Sequence, residues 1–161
     1  PADMYLLATA ATAPGGGTNT TKLSEDCKRI VRSKARRIRD LELHDDFDIK
    51  TVKDFIDTGV PVLWQMRSLE KYKDVADART KERETVEDFT AWASVIAEEA
   101  AEVEPQLKAE VRHHICMVIG YNEATNEVAV SDSWGPSHEL RWVHLDIARA
   151  VTSRGGFVID F

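Results

Sequence analysis

The sequence predicts an α+β domain in which helices pack against a twisted antiparallel sheet. Three observations carry this expectation. Apolar residues recur at helical spacing as far as Arg112, the period changes to two from His114 onward, and a short β-branched run, Val60-Pro61-Val62-Leu63-Trp64, interrupts the helical stretches. With 161 residues, 43% hydrophobic and 30% charged, the chain is long enough to bury a core without disulfides or a metal.

Taken in order, residues 3–11 read as a short helix through Met4, Leu7, Ala8 and Ala11, stopped by Pro14-Gly15-Gly16-Gly17-Thr18. That glycine run is a turn rather than a phosphate cradle, because no strand precedes it and no Gly-Lys-Ser/Thr ends it. Ser24-Glu25-Asp26-Cys27 is an N-cap with an acidic first turn, opening a helix whose buried stripe is Cys27, Ile30, Val31, Ala35 and Ile38. Its other face carries Lys28, Arg29, Arg32, Lys34, Arg36, Arg37 and Arg39; with no aromatics among them, a solvated face explains the run better than a polyanion site. Asp46 or Asp48 caps a helix through Ile49, Val52, Phe55 and Ile56 that ends at Gly59, and the strand at 60–64 follows.

Residues 67–112 are dense in charge, with apolar points at Val86, Phe89, Trp92, Ala93 and Ile96. They read as one or two amphipathic helices, the second ended or kinked at Pro105, forming a helical insertion or lid within a single domain spanning 1–161. His114 to Tyr121 is then a largely buried strand, 122–126 a turn cluster, and 127–132 the returning strand of a hairpin. Leu140 to Val143 is a further strand, Leu145 to Val151 a short helix broken by Gly155-Gly156, and Phe157-Val158-Ile159 the last strand.

Composition narrows the function classes. The formal charge of −7, from 21 Lys+Arg and 28 Asp+Glu, opposes a nucleic-acid partner. No apolar run approaches the roughly 20 residues of a membrane span. Two cysteines, Cys27 and Cys116, make no disulfide framework, and His44, His138 and His144 lack metal-ligand spacing, so neither metal nor cofactor is expected. Gln65, at a strand end, and Trp64, Trp92 and Trp142 have surface and core roles respectively as their simplest readings. The abrupt start at Pro1, inside an apolar stretch, suggests that a natural N-terminal segment precedes it.

The hairpin brings chemistry into reach. Along an antiparallel ladder the numbers of paired residues have a constant total, which a four- or five-residue loop at 122–126 sets at about 246 or 248. An even total places His114 and Asp132 on one face, opposite or one diagonal apart, while an odd total would select His113. An Asp132 carboxylate on Nδ1–H of His114 would fix the tautomer and leave Nε2 as a base. The alternative is a purely structural His–Asp pair at a strand end.

The run from His114 to Gly120-Tyr121, followed after a short hairpin by Asp132-Ser133-Trp134-Gly135, resembles the second half of the papain-like cysteine peptidases, in which a His opens an apolar strand and an Asn-Ser-Trp-Gly motif follows. The Asp in place of Asn resembles the branch containing the double-glycine leader peptidases and their bacterial relatives. The helix ending in Gly59 before a Pro-containing strand, and the Gly-Gly-Thr segment, resemble those relatives more loosely. The resemblance implies a papain-like fold, supplied here as its C-terminal portion. It also implies His114 as proton carrier, Asp132 as its orienting partner and Trp134 as a cover that keeps water from the His–Asp bond.

The nucleophile implied by the family is a cysteine opening an N-terminal helix after a Gln. Cys27 has the right chain order and a helix first turn that lowers a thiol pKa. Glu25 and Asp26 oppose a thiolate there, and Gly-Gly-Thr precedes rather than follows it, so Cys27 is the lesser candidate. Cys116, within a strand, reads as core. The expectation is therefore thiol-dependent peptide hydrolysis with a nucleophile upstream of this chain, carried by the same precursor or by an associated cleaved segment, acting on a peptide or protein. A catalytically inactive peptide-binding relative is the alternative. Bacterial relatives suggest an extracytoplasmic location by resemblance only.

Overall fold

A computed structural model describes residues 22, 25–26, 28–29, 43–44, 47–107 and 113–158. The expected helix at 3–11, the glycine-rich turn, nearly all of the helix from Ser24, Cys27 included, and the chain beyond Val158 lie outside these residues. The sheet and the helices that cover it belong to the unit Leu43–Val158.

Its elements are β1 (Leu43–His44), α1 (Ile49–Ile56), β2 (Val62–Arg67), α2 (Glu70–Arg83), α3 (Phe89–Val103), β3 (His113–Asn122), β4 (Glu127–Ser131), β5 (Arg141–His144), α4 (Leu145–Val151) and β6 (Thr152–Val158). The strands form one sheet in the order β1-β6-β2-β3-β4-β5, with every neighbouring pair antiparallel. Helices on an antiparallel sheet are the α+β arrangement that the change of period predicts.

Local chemistry sets the helix ends. Asp48 is the N-cap of α1, its carboxylate accepting from the backbone N–H of Thr51 at 2.7 Å. Gly59, at φ +82°, lets the chain leave the helix and turn into β2. The Thr51 amide favours the charged carboxylate and lowers the Asp48 pKa below 3.8. A carboxylate with a lowered folded pKa contributes stability above its unfolded value and loses it as pH falls through the folded one. Asp48→Ala should accordingly cost about 1 kcal/mol at neutral pH, a difference that urea titration should find shrinking below pH 3.8. Asp88 caps α3 in the same way, accepting from Thr90 and Ala91.

The segment 67–112 supplies two helices, and both reach the core. The stripe Tyr72, Val75 and Ala76 of α2 and Trp92, Ile96, Ala100 and Val103 of α3 are buried. Val86 lies in the connection between them and Phe89 is exposed. Facing these helices, Val62, Trp64 and Met66 of β2, Cys116 and Val118 of β3, and Val128 and Val130 of β4 share the inner face of the sheet. The strand expected to be largely buried is therefore buried on one face: Met117 and Ile119 on its other side are exposed. This follows from the period of two in a sheet covered on one side.

Gly155-Gly156 does not break the last helix as expected. The helix ends at Val151, where Thr152 Oγ1 donates to Ala148 O at 2.8 Å, and β6 runs through both glycines. Gly156 pairs with His44 on one side and Trp64 on the other, next to a register irregularity against β2. Glycine here marks an irregular strand interior rather than a helix stop.

Candidate active site

The hairpin β3–β4 has a register that the turn alone would not produce. Beside the turn, Asn122 pairs with Glu127 and Gly120 with Ala129, an odd total of 249; beyond a bulge at Ile119, Val118 pairs with Val130 and Met117 with Ser131, an even total of 248. The extra residue reverses the phase of β3. Without it, His113 would share the face of Asp132; with it, His114 does. Gly120 lies beside the bulge, where a Cβ would come within 3.2 Å of the Ala129 side chain.

Continued by one residue, this register sets Cys116 opposite Asp132, with His114 as the diagonal neighbour. His114 Nε2 and Asp132 Oδ1 are 2.7 Å apart. The bond therefore uses Nε2 rather than the expected Nδ1. The reason is reach: a diagonal pair starts several ångströms apart, and Nε2 is the ring nitrogen farther from the backbone. With Nε2–H donated to the carboxylate, Nδ1 holds the free lone pair, and among the described residues it has no hydrogen-bond partner.

The loop after β4 completes the arrangement. Asp132 N–H donates to His138 O at 2.9 Å, and His138 N–H donates to Gly135 O at 2.9 Å, closing residues 132–138 into a tight loop. Gly135 sits at φ +118°, a conformation that L side chains rarely adopt. The loop lays Trp134 on His114, with ring centroids 4.5 Å apart and planes 24° from parallel. His138 makes a T-shaped contact with the same indole, ring centroids 6.0 Å apart. The Asp132 side chain is 1% exposed and that of His114 19%, so the carboxylate is withdrawn from water while the imidazole keeps an open side.

Three residues near this pair have no counterpart in the motif. Arg141, 1% exposed on β5, places Nη1 3.8 Å from Asp132 Oδ2 and Nε 2.6 Å from Asp77 Oδ1 of α2. Lys73 of α2 holds its ammonium 5.4 Å from the centre of the Trp134 ring. The helix segment 67–112 thus supplies charged groups to the surroundings of His114. Arg141 alternates with Val143 on the buried phase of its strand, pairing with inward-facing Val130. A charged residue in a strand was the available signal, but Leu140 and Trp142 offered an equally apolar opposite phase.

Cys116 is the cysteine among the described residues, and it is core. Its Sγ lies 3.8 Å from Met66 Sδ and 3.9 Å from Trp64 O. Burial, reinforced by the Asp132 charge and opposed by Arg141, pushes its thiol pKa well above 9.0. Gln65, whose simplest reading is a surface place, is buried on β2, while Trp64 and Trp92 are core as expected and Trp142, expected in the core too, is only half-buried on β5. Among the described residues no cluster of His, Cys, Asp and Glu could hold a metal ion, and no helix is long and apolar enough to cross a membrane.

An antiparallel sheet covered by helices, with a His opening one inner strand and an Asp-Ser-Trp-Gly loop beside it, defines the papain-like cysteine peptidase class. A family model, the Peptidase_C39 like family, matches residues 17–152, and the chain belongs to that family. The match runs through the helices at 67–112 as well as the hairpin. No curated protein and no solved structure matches the chain.

Proposed function

We propose that this domain provides the proton-transfer half of a thiol-dependent peptidase, with His114 as proton carrier, Asp132 as its orienting partner and Trp134 as their cover. The observation that carries the reading is the 2.7 Å bond from His114 Nε2 to Asp132, which leaves Nδ1 as the basic nitrogen beneath an indole. In the proposed reaction Nδ1 takes the proton of a cysteine thiol. The thiolate attacks the peptide carbonyl carbon, the S–C bond forms, and the C–N bond breaks as the imidazolium gives its proton to the departing amine. Water then attacks the thioester, Nδ1 takes its proton, and the acid and thiolate are released. Cys116 is too deeply buried to serve, so the nucleophile is a cysteine upstream of Pro1 or, as the lesser candidate, Cys27. Kinship with the double-glycine leader peptidase branch is part of this proposal and rests on Asp132 standing in the motif.

The test uses the protein as its gene encodes it, including anything upstream of Pro1. It is treated with iodoacetamide at neutral pH, and labelled cysteines are mapped by mass spectrometry. One cysteine other than Cys116 should react fast, and its rate should fall in His114→Ala. Uniformly slow labelling in the native protein, or a fast rate untouched by His114→Ala, would overturn the reading in favour of an inactive peptide-binding relative.

A further inference from the structure

We infer that Arg141 is a positioning residue for the His114–Asp132 pair, a buried counter-charge that sets the protonation balance of His114 through Asp132. This deepens the proposed function and rests on its assignment of His114. The Asp132 carboxylate is withdrawn from water, with Oδ1 engaged by His114 Nε2, so its charge must be balanced by something other than solvent. Arg141 Nη1 stands 3.8 Å from the remaining oxygen, Oδ2. All three guanidinium nitrogens are buried without a well-aligned hydrogen bond, so Arg141 acts on Asp132 as a charge. Its own place is fixed from two sides: Asp77 Oδ1 lies 2.6 Å from Nε, and the Trp134 ring centre lies 5.3 Å from Cζ.

The other ionisable groups around this pair do not supply the balance. From α2, Tyr72 is buried with its phenol held neutral, Asp77 is half exposed and engaged with Arg141, and Lys73 is paired with Glu70 at 2.6 Å while facing the indole. From β3, Cys116 is held as the thiol. From the loop, His138 makes a T-shaped contact with Trp134, and its Nδ1 lies 2.9 Å from Ser137 Oγ. Among the described residues, Arg141 is the cation besides His114 itself that lies in ion-pair range of the buried carboxylate. An unbalanced Asp132 charge would hold the imidazolium and remove the base from Nδ1; the guanidinium offsets that pull while leaving the orienting bond in place.

Proton NMR of the His114 ring, titrated with pH in this domain, tests the role without requiring turnover. In Arg141→Met the His114 midpoint should rise, as removal of a neighbouring cation requires, and Arg141→Lys should keep it near the native value. An unchanged midpoint in Arg141→Met, or an equal rise in Arg141→Lys, would overturn the inference. If Arg141→Met does not fold, Asp132→Asn gives the opposite side of the comparison. There the arginine stands alone and the midpoint should fall, and Asp132→Asn/Arg141→Met should restore it; equal midpoints in single and double variants would overturn the inference. Because this readout is the ionisation of His114, its failure leaves the thiol-labelling test standing, and failure of thiol labelling leaves the titration meaningful.

Discussion

Trp64→Ala should lower the unfolding free energy by about 3–5 kcal/mol, the range for deleting a buried large aromatic. Trp64 is fully buried at the centre of β2, between the His114 strand on one side and β6 on the other. Its ring stacks on Phe47 with centroids 5.4 Å apart and makes a T-shaped contact with Tyr72 at 6.0 Å, joining the strand to the chain before α1 and to α2. The indole N–H donates to Thr152 Oγ1 at 2.9 Å, which ties it to the junction of α4 and β6. Alanine removes all of these contacts and leaves a cavity where the inner face of the sheet meets the helices. Urea unfolding followed by circular dichroism measures the loss. Trp64→Phe, which keeps a ring but not the donor, should lose only part of it, and a loss below about 1 kcal/mol in Trp64→Ala would contradict this account of the core.

The second large effect concerns chemistry. In the protein carrying its nucleophile, His114→Ala should lower kcat/KM for peptide hydrolysis by about 10²–10⁴, the usual contribution of a positioned acid–base group. His113→Ala, one residue away, should leave the rate near native, because the bulge turns His113 to the other face of the sheet. That pairing separates a specific loss from general damage to β3. Equal losses in the two variants would show that the assignment of faces is wrong. Rates measured at saturating and at low substrate locate the loss: removal of a proton carrier lowers kcat, whereas a lost binding contact raises KM.

Much of the fold was legible in the sequence because it depends on short-range pattern. The helix capped by Asp48 and stopped at Gly59, the strand carrying Trp64, the hairpin and the helix from Leu145 each have local signals of cap, turn or period. The family relationship was legible because His114 and Asp132-Ser133-Trp134-Gly135 stand at a distinctive spacing. Other features depend on tertiary context. The stripe Tyr72, Val75 and Ala76 is surrounded by charges, and nothing in α2 itself says that it reaches the core; the surrounding fold does. Gly155-Gly156 breaks helices as a rule, and only the neighbouring strands reveal it as strand interior. The choice of Nε2 over Nδ1 depends on the diagonal offset, which the sequence leaves open between opposite and diagonal. Arg141 escaped for a related reason: its burial depends on which phase of a four-residue strand faces inward.

The bulge at Ile119 has a consequence for how this hairpin tolerates change. It separates two countings, the one that closes the turn and the one that aims the face carrying His114. Loss of one residue from the turn can be absorbed near residue 120 only if the bulge is lost too, since two single-residue phase changes cancel and one alone does not. Viable length variants of this hairpin should therefore come as compensating pairs, one at the tip and one at Ile119. The hairpin works as a vernier, whose fine division sits about 17 Å along the strand from the histidine it aligns.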